Sequence, residues 1–159
     1  MTELNPVLDD AQAAGDASAP VLSLQAVYLK DASFEAPQGP RVEGNYAPQI
    51  GLDLQTETSV LEDGLREVVL QVTVTAKQGE KTYFIAEVKQ SGAFVMQNLG
   101  DEDIKRAVGS LAPGVLFPYA RAAISMLVSQ GGFPQLLLPP VNFDALFASA
   151  TTPPEGAPN

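Results

Sequence analysis

The run Val68-Val69-Leu70-Gln71-Val72-Thr73-Val74-Thr75-Ala76-Lys77-Gln78-Gly79-Glu80-Lys81-Thr82-Tyr83-Phe84-Ile85-Ala86-Glu87-Val88-Lys89 reads as two strands joined by a tight turn. Val68, Leu70, Val72 and Val74 share one face, and Val69, Gln71, Thr73 and Thr75 the other. Phe84, Ala86 and Val88 oppose Ile85, Glu87 and Lys89 in the same way. Side chains alternate across a strand, so this period of two writes one apolar face and one largely polar face. The abundant β-branched residues suit a pleated backbone, and Gln78-Gly79 supplies hairpin turn chemistry.

Working toward the N-terminus, Asp63-Gly64 repeats the hairpin signal, and before it Ile50, Leu52 and Leu54 alternate with Gly51, Asp53 and Gln55. A further strand is predicted over residues 22–35. It places Leu22, Leu24, Ala26 and Tyr28 on one face and Gln25, Asp31, Ser33 and Glu35 on the other. The link 36–48, with three prolines and two glycines, is too long for a tight hairpin and is expected to cross over another element.

The C-terminal half changes period. Asp101 is placed to cap a helix through Ile104, Val108 and Leu111, which Pro113-Gly114 should stop. Pro118 suits the first turn of a next helix, with Tyr119, Ala123, Met126 and Leu127 along one side and Gly131-Gly132 at its end. After the loop Phe133-Pro134-Gln135-Leu136-Leu137-Leu138-Pro139-Pro140, Asn142 caps a last short helix. Val141 and Leu146 are spaced as a hydrophobic staple, and Asp144 sits near the positive helix end. A strand block followed by a helix block predicts an α+β fold, a four-stranded antiparallel sheet with helices on its apolar face. The folded domain is expected over about 21–150, between a disordered arm at 1–20 and a disordered tail at 151–159.

Nine Lys/Arg against nineteen Asp/Glu leave a net charge of −10. That excess argues against nucleic acid and favours a basic protein partner or simple solubility. Apolar residues make up 45%, enough for a core, while no run approaches the roughly 18 uninterrupted apolar residues of a membrane span. The first basic residue is Lys30, so residues 1–29 lack the positive start of a secretory signal, and a cytoplasmic location is expected. Cys, His and Trp are absent. Thiol nucleophiles, imidazole bases and the usual zinc ligands are therefore unavailable. A carboxylate hydrolase needs two acids converging in an apolar pocket, and the outward parity of Asp31, Glu35 and Glu87 argues against it. Asp101-Glu102-Asp103 suits a helix start rather than a cation site, since calcium-loop spacing is missing.

Two surfaces stand out. Helices of this size are expected to leave apolar surface at Tyr46, Leu136–Leu138, Phe143 and Phe147, as self-association, an apolar groove or both require, the alternative for any single one being that it fills the core. On the polar strand faces Asp31 and Glu35 share one parity and Glu87 has the outward parity beside the apolar Ile85, a pattern that suggests a docking patch with a hydrophobic anchor or a merely solvated sheet face.

Five strings carry a family likeness. They are Lys30-Asp31-Ala32-Ser33-Phe34-Glu35-Ala36-Pro37, Val72-Thr73-Val74-Thr75-Ala76, Leu116-Phe117-Pro118-Tyr119-Ala120-Arg121, and Gly132-Phe133-Pro134-Gln135-Leu136 with Pro140-Val141-Asn142-Phe143-Asp144-Ala145-Leu146-Phe147. Together they resemble SecB, the cytoplasmic protein-export chaperones of bacteria, from about residue 23 to 147. The resemblance implies a fold of the kind just read, assembled as a homotetramer (a dimer of dimers), with no nucleotide, metal or cofactor and no enzymatic activity. It implies ATP-independent holding of unfolded preproteins and their delivery to SecA, the translocase ATPase. Asp31 and Glu35 match the family's docking acids in an Asp-x-x-x-Glu motif, Glu87 matches the third, and Ile85 stands where relatives commonly have Leu. The implied client groove draws on Tyr46, Ile50, Leu52, Leu54, Phe133, Leu136, Phe143, Leu146 and Phe147, with Tyr46 in place of a Trp found in some relatives. Phe84, Ala86, Val88 and Gln90 fall where changes disturb assembly, and Ala86 is smaller than the Cys of some members. The tail at 151–159 carries only Glu155 as a charged side chain, shorter and less acidic than tails that make a second SecA contact. The nearest alternative is a related holdase dedicated to an antitoxin. The carboxylate hydrolase is the alternative from another class, and a purely structural oligomer is the third option.

Overall fold

The computed structural model describes residues 17–152. The arm and tail expected at the two ends lie, from 1 to 16 and from 153 to 159, outside the described residues. Strands β1 (Val21–Glu35), β2 (Gln49–Glu62), β3 (Leu65–Gln78) and β4 (Lys81–Gln97) form one sheet in the order β1-β4-β3-β2. Every neighbouring pair is antiparallel. The expected hairpins join β2 to β3 and β3 to β4, and their turn glycines, Gly64 and Gly79, take the positive φ that such turns demand. Because β1 pairs with β4, the link after it runs from one edge of the sheet to the opposite edge. That explains its length.

Val68, Leu70, Val72, Val74 and Ala76 of β3 and Phe84, Ala86 and Val88 of β4 are fully buried on the inner face. β1 departs from simple alternation. Leu22 and Leu24 lie opposite Met96 and Phe94 on the inner face, but register shifts at Gln25 and Lys30 each insert an extra residue. Ala26 and Tyr28 therefore lie opposite Ala93 and Ser91, on the outer face with Asp31, Ser33 and Glu35. The expectation that Leu22, Leu24, Ala26 and Tyr28 share a face is corrected. A bulge reverses the parity of everything beyond it.

The bulged segment is tied down across the sheet. Lys30 Nζ donates to Glu67 Oε1 at 2.6 Å, and the Tyr28 hydroxyl donates to Glu67 Oε2. Ala93, between β1 and Glu67 in register, is small enough for both side chains to cross β4. Lys30 and Tyr28 hold the Glu67 carboxyl below the usual carboxylate range, and the same bond pushes the Tyr28 hydroxyl up to about 12.

Helices α1 (Asp101–Arg106) and α2 (Ala112–Gln130) are continuous through a π-helical turn, Ala107–Leu111. Gly100, not Asp101, is the N-cap, and Asp101 opens a first turn of three acids that faces the positive helix end. Pro113-Gly114 does not stop the helix. Within the π turn the Ala112 N–H reaches back to the Ala107 carbonyl, five residues away. That wider loop admits a residue with no N–H and a bulky ring immediately after it. Pro118 lies inside α2 rather than opening it. It and Gly114 are both exposed, so the carbonyl left without a donor meets water.

Leu116, Ala120, Ile124 and Val128 form the fully buried stripe of α2 against β3 and β4. Tyr119 (51% exposed) and Met126 (61%) face away from the sheet, while Ala123 and Leu127 are half-buried. The stretch Asp101–Gln130 has the length and apolar composition of a membrane span, and here that composition covers a sheet. Helix α3 (Phe143–Thr151) is capped as expected, Asn142 Oδ1 accepting from the Ala145 N–H at 3.0 Å. It sits on the π turn, where Ser110 Oγ donates to Asp144 Oδ1 at 2.6 Å. A Cβ on Gly109 would lie 2.5 Å from Phe147, so only glycine admits that ring.

Candidate docking face and apolar groove

The outer face brings together the acids that the sequence places on separate strands. Glu35 of β1 lies directly opposite Ile85 of β4, Ser33 opposite Glu87, and Asp31 opposite Lys89. Across β4 the rows continue into β3, with Thr75 opposite Ile85 and Thr73 opposite Glu87. Asp31 and Glu35 are exposed, and Ile85 and Glu87 half-buried, so the apolar side chain has Glu35 opposite it and Glu87 two residues along its own strand, with Asp31 further along β1 opposite Lys89. The Thr73 hydroxyl donates to Glu87 Oε2 at 2.8 Å. Asp31, Glu35, Ile85 and Glu87 thus form one patch suited to a basic segment with an apolar residue.

The inner face holds the apolar candidates, in three environments. Ile50, Leu52 and Leu54 of β2 lie opposite Ala76, Val74 and Val72, on the same side as the helices. Helix α2 covers β3 and β4 but stops short of this edge. Ile50 (39%) and Leu52 (38%) stay exposed, and Leu54 is half-buried. Next to them is an aromatic cluster. Phe133 lies 5.1 Å from Phe84, 6.3 Å from Phe34 and Tyr83, and 6.4 Å from Tyr46. Phe133 itself is 5% exposed and belongs to the core; half-buried Tyr46 is the outer ring of the cluster. Burial and the neighbouring Tyr83 raise the Tyr46 hydroxyl above its usual range. Leu136 is half-buried in the following loop.

The third environment is the C-terminal helix. Phe143 is buried edge-on against Phe117 at 5.8 Å, Leu146 is 50% exposed, and Phe147 is half-buried. A cleft of 660 Å³ lies between β2 and the helices, lined by Thr56, Thr58, Ile104, Val108, Gly109 and Phe147 among others. Of the nine groove candidates, Phe133 and Phe143 act as supports beneath the surface, and the other seven contribute surface. Ile104, Val108 and Tyr83 are site neighbours that sequence reading missed. Gly109, a glycine inside a helix, was the available signal that an aromatic side chain approaches there.

Phe84, Ala86, Val88 and Gln90 do not reach the surface of the chain. The first three are fully buried and Gln90 nearly so, with its Nε2 donating to the Tyr28 carbonyl at 3.1 Å. Any effect of these residues on assembly is therefore indirect, through the strands, loop and helix packed on them. The apolar side chains that do reach the surface include Leu111, Val115, Tyr119 and Met126, along the outward side of the long helix.

The SecB family, described as preprotein translocase subunit SecB, matches residues 15–153. The protein-export protein SecB of Pseudomonas fluorescens is 48% identical over 136 residues, covering 85% of this chain and 86% of the relative. That of Hahella chejuensis is 47% identical, covering 82% and 83%. Among solved structures, a SecB-like chaperone of Mycobacterium tuberculosis, in complex with a peptide from an antitoxin, superposes with a TM-score of 0.65. At 13% identity over 76% of this chain and 91% of the other, it shares the fold.

Proposed function

This chain belongs to the SecB family of protein-export chaperones, and on that premise we propose that it holds non-native preproteins on the inner apolar groove while SecA docks on the outer acidic face. The observation that carries this reading is the opposition of the two surfaces. Ile50, Leu52 and Leu54 lie on one side of the sheet, and Asp31, Glu35, Ile85 and Glu87 on the other. A client and a motor can therefore occupy one protomer together, as handover requires.

Holding needs no nucleotide, since apolar burial supplies the attraction. Each exposed Leu or Ile gives a shallow contact indifferent to sequence. Copies acting together multiply these contacts. The outward side of the long helix, with Leu111, Val115, Tyr119 and Met126, supports assembly into a dimer of dimers. Linked sites then raise avidity by about 10²–10⁴. Selectivity is kinetic: a chain that folds quickly buries its apolar segments before capture. The same account puts the protein in the cytoplasm, upstream of the membrane step, and assigns it no catalysis.

The test is Glu87→Lys. It should abolish SecA association while client capture and oligomeric mass stay as in the parent. Loss of docking and capture together would mean that Glu87 has a structural role. A dedicated antitoxin holdase is the second reading, favoured by the shared fold with a chaperone solved on an antitoxin peptide. Purification of the native protein distinguishes them: many non-native clients support export, a single stoichiometric client the alternative.

A further inference from the structure

Two of the outer-face carboxylates, Glu67 and Glu87, sit in contrasting settings. Glu67, 7% exposed, accepts from Lys30 and Tyr28, so its charge is balanced within the chain. Glu87 accepts from the neutral Thr73 hydroxyl. A neutral donor orients a carboxylate without cancelling its charge. It engages only Oε2, leaving Oε1 for a partner.

We propose that Thr73 is the positioning residue of the docking face, fixing the Glu87 carboxylate toward a basic partner; this rests on reading that face as the SecA surface. Thr73 lies between Glu87 on β4 and Asp53 on β2 in one row of the sheet. Asp53 Oδ2 already accepts from Gln55 Nε2 at 3.2 Å, and the Thr73 hydroxyl turns to Glu87. A β-branched residue in a strand has a stiff χ1, so its hydroxyl is a firm anchor. Glu87 has a long, flexible side chain, and on the same strand face two residues along stands Lys89. Released from Thr73, Glu87 can swing toward that ammonium and lose the charge the partner needs. Ordering such a side chain before docking removes an entropic cost equivalent to about two- to twelve-fold in affinity.

The experiment measures binding of full-length SecA to the full chain by calorimetry, for Thr73→Val, Thr73→Ser, Glu87→Gln and the double variant Thr73→Val/Glu87→Gln. Valine keeps the shape and removes the donor; serine keeps the donor. Thr73→Val should weaken docking by about two- to twelve-fold, Thr73→Ser should restore most of it, and Thr73→Val should add nothing once Glu87 is Gln. Client capture, oligomeric mass and thermal midpoint should stay at parental values. Parental docking by Thr73→Val, a serine variant as weak as valine, or full additivity with Glu87→Gln would each overturn the assignment while leaving the docking face intact. A Glu87→Gln variant that docks normally would overturn the reading of the face itself, and this inference with it.

Discussion

Replacing Leu52 with Ala should separate the proposed client groove from the core beneath it. Leu52 is 38% exposed and lies opposite fully buried Val74, so part of the side chain supports the sheet and part stays on the surface, where the proposed function places a client. Burying a whole Leu is worth about 1.5–3 kcal/mol. The exposed fraction therefore offers a client about 0.6–1.1 kcal/mol per copy, about three- to six-fold in affinity. A client held by two copies should lose about ten- to forty-fold, because the losses multiply. The stability cost should stay near 1–2 kcal/mol, below the roughly 2–5 of a fully buried Leu. Phe133→Ala is the matched control. At 5% exposed and ringed by Phe34, Tyr46, Tyr83 and Phe84, it should cost about 3–5 kcal/mol of stability. Competition binding of a fluorescent denatured client, alongside chemical denaturation, reads both quantities. Undiminished capture by Leu52→Ala, or Phe133→Ala as stable as the parent, would refute the division of these residues into surface and support.

The Tyr28–Glu67–Lys30 network predicts pH effects at both extremes. The Glu67 carboxyl is lowered, so its stabilisation is present above the ordinary carboxylate range and is lost as pH falls through the depressed value. The Tyr28 hydroxyl is raised from 10.0 to about 12, so its stabilisation is complete below pH 10 and is lost between 10 and 12. In pH-dependent melting, Tyr28→Phe should differ from the parent by a constant amount near neutrality and converge with it toward pH 12. Gly109→Ala should destabilise by about 1–3 kcal/mol through overpacking against Phe147, although Ala normally gains up to about 1 kcal/mol over Gly inside a helix; limited proteolysis should show α3 released first. Tyr119→Asp, on the outward helix surface, should lower the native mass toward smaller assemblies while leaving the protomer's circular dichroism unchanged.

The sheet was legible because Val68–Val74 and Phe84–Val88 alternate cleanly and two glycine turns set the strand lengths. β1 was not, since Gln25 and Lys30 look like ordinary strand residues. Only pairing with β4 shows that they are extra. Pro113-Gly114 misled for a related reason: nothing local announces a π turn that absorbs a proline. Strand parity put Asp31, Glu35 and Glu87 outward, yet the placing of Asp31 and Glu35 on the same surface as Ile85 and Glu87 depends on β1 lying beside β4, a long-range fact. The groove residues show the limit most clearly. Phe133, Phe143 and Phe147 are chemically alike, and only the packing of Phe34, Phe117 and Gly109 around them decides which are buried.

The most direct test of the central claim is calorimetric titration of the intact protein with one slow-folding preprotein, presented unfolded and then folded. Tight binding of the unfolded form with no heat from the native form is the predicted result. Equal affinity for both forms, or silence toward both, would contradict it.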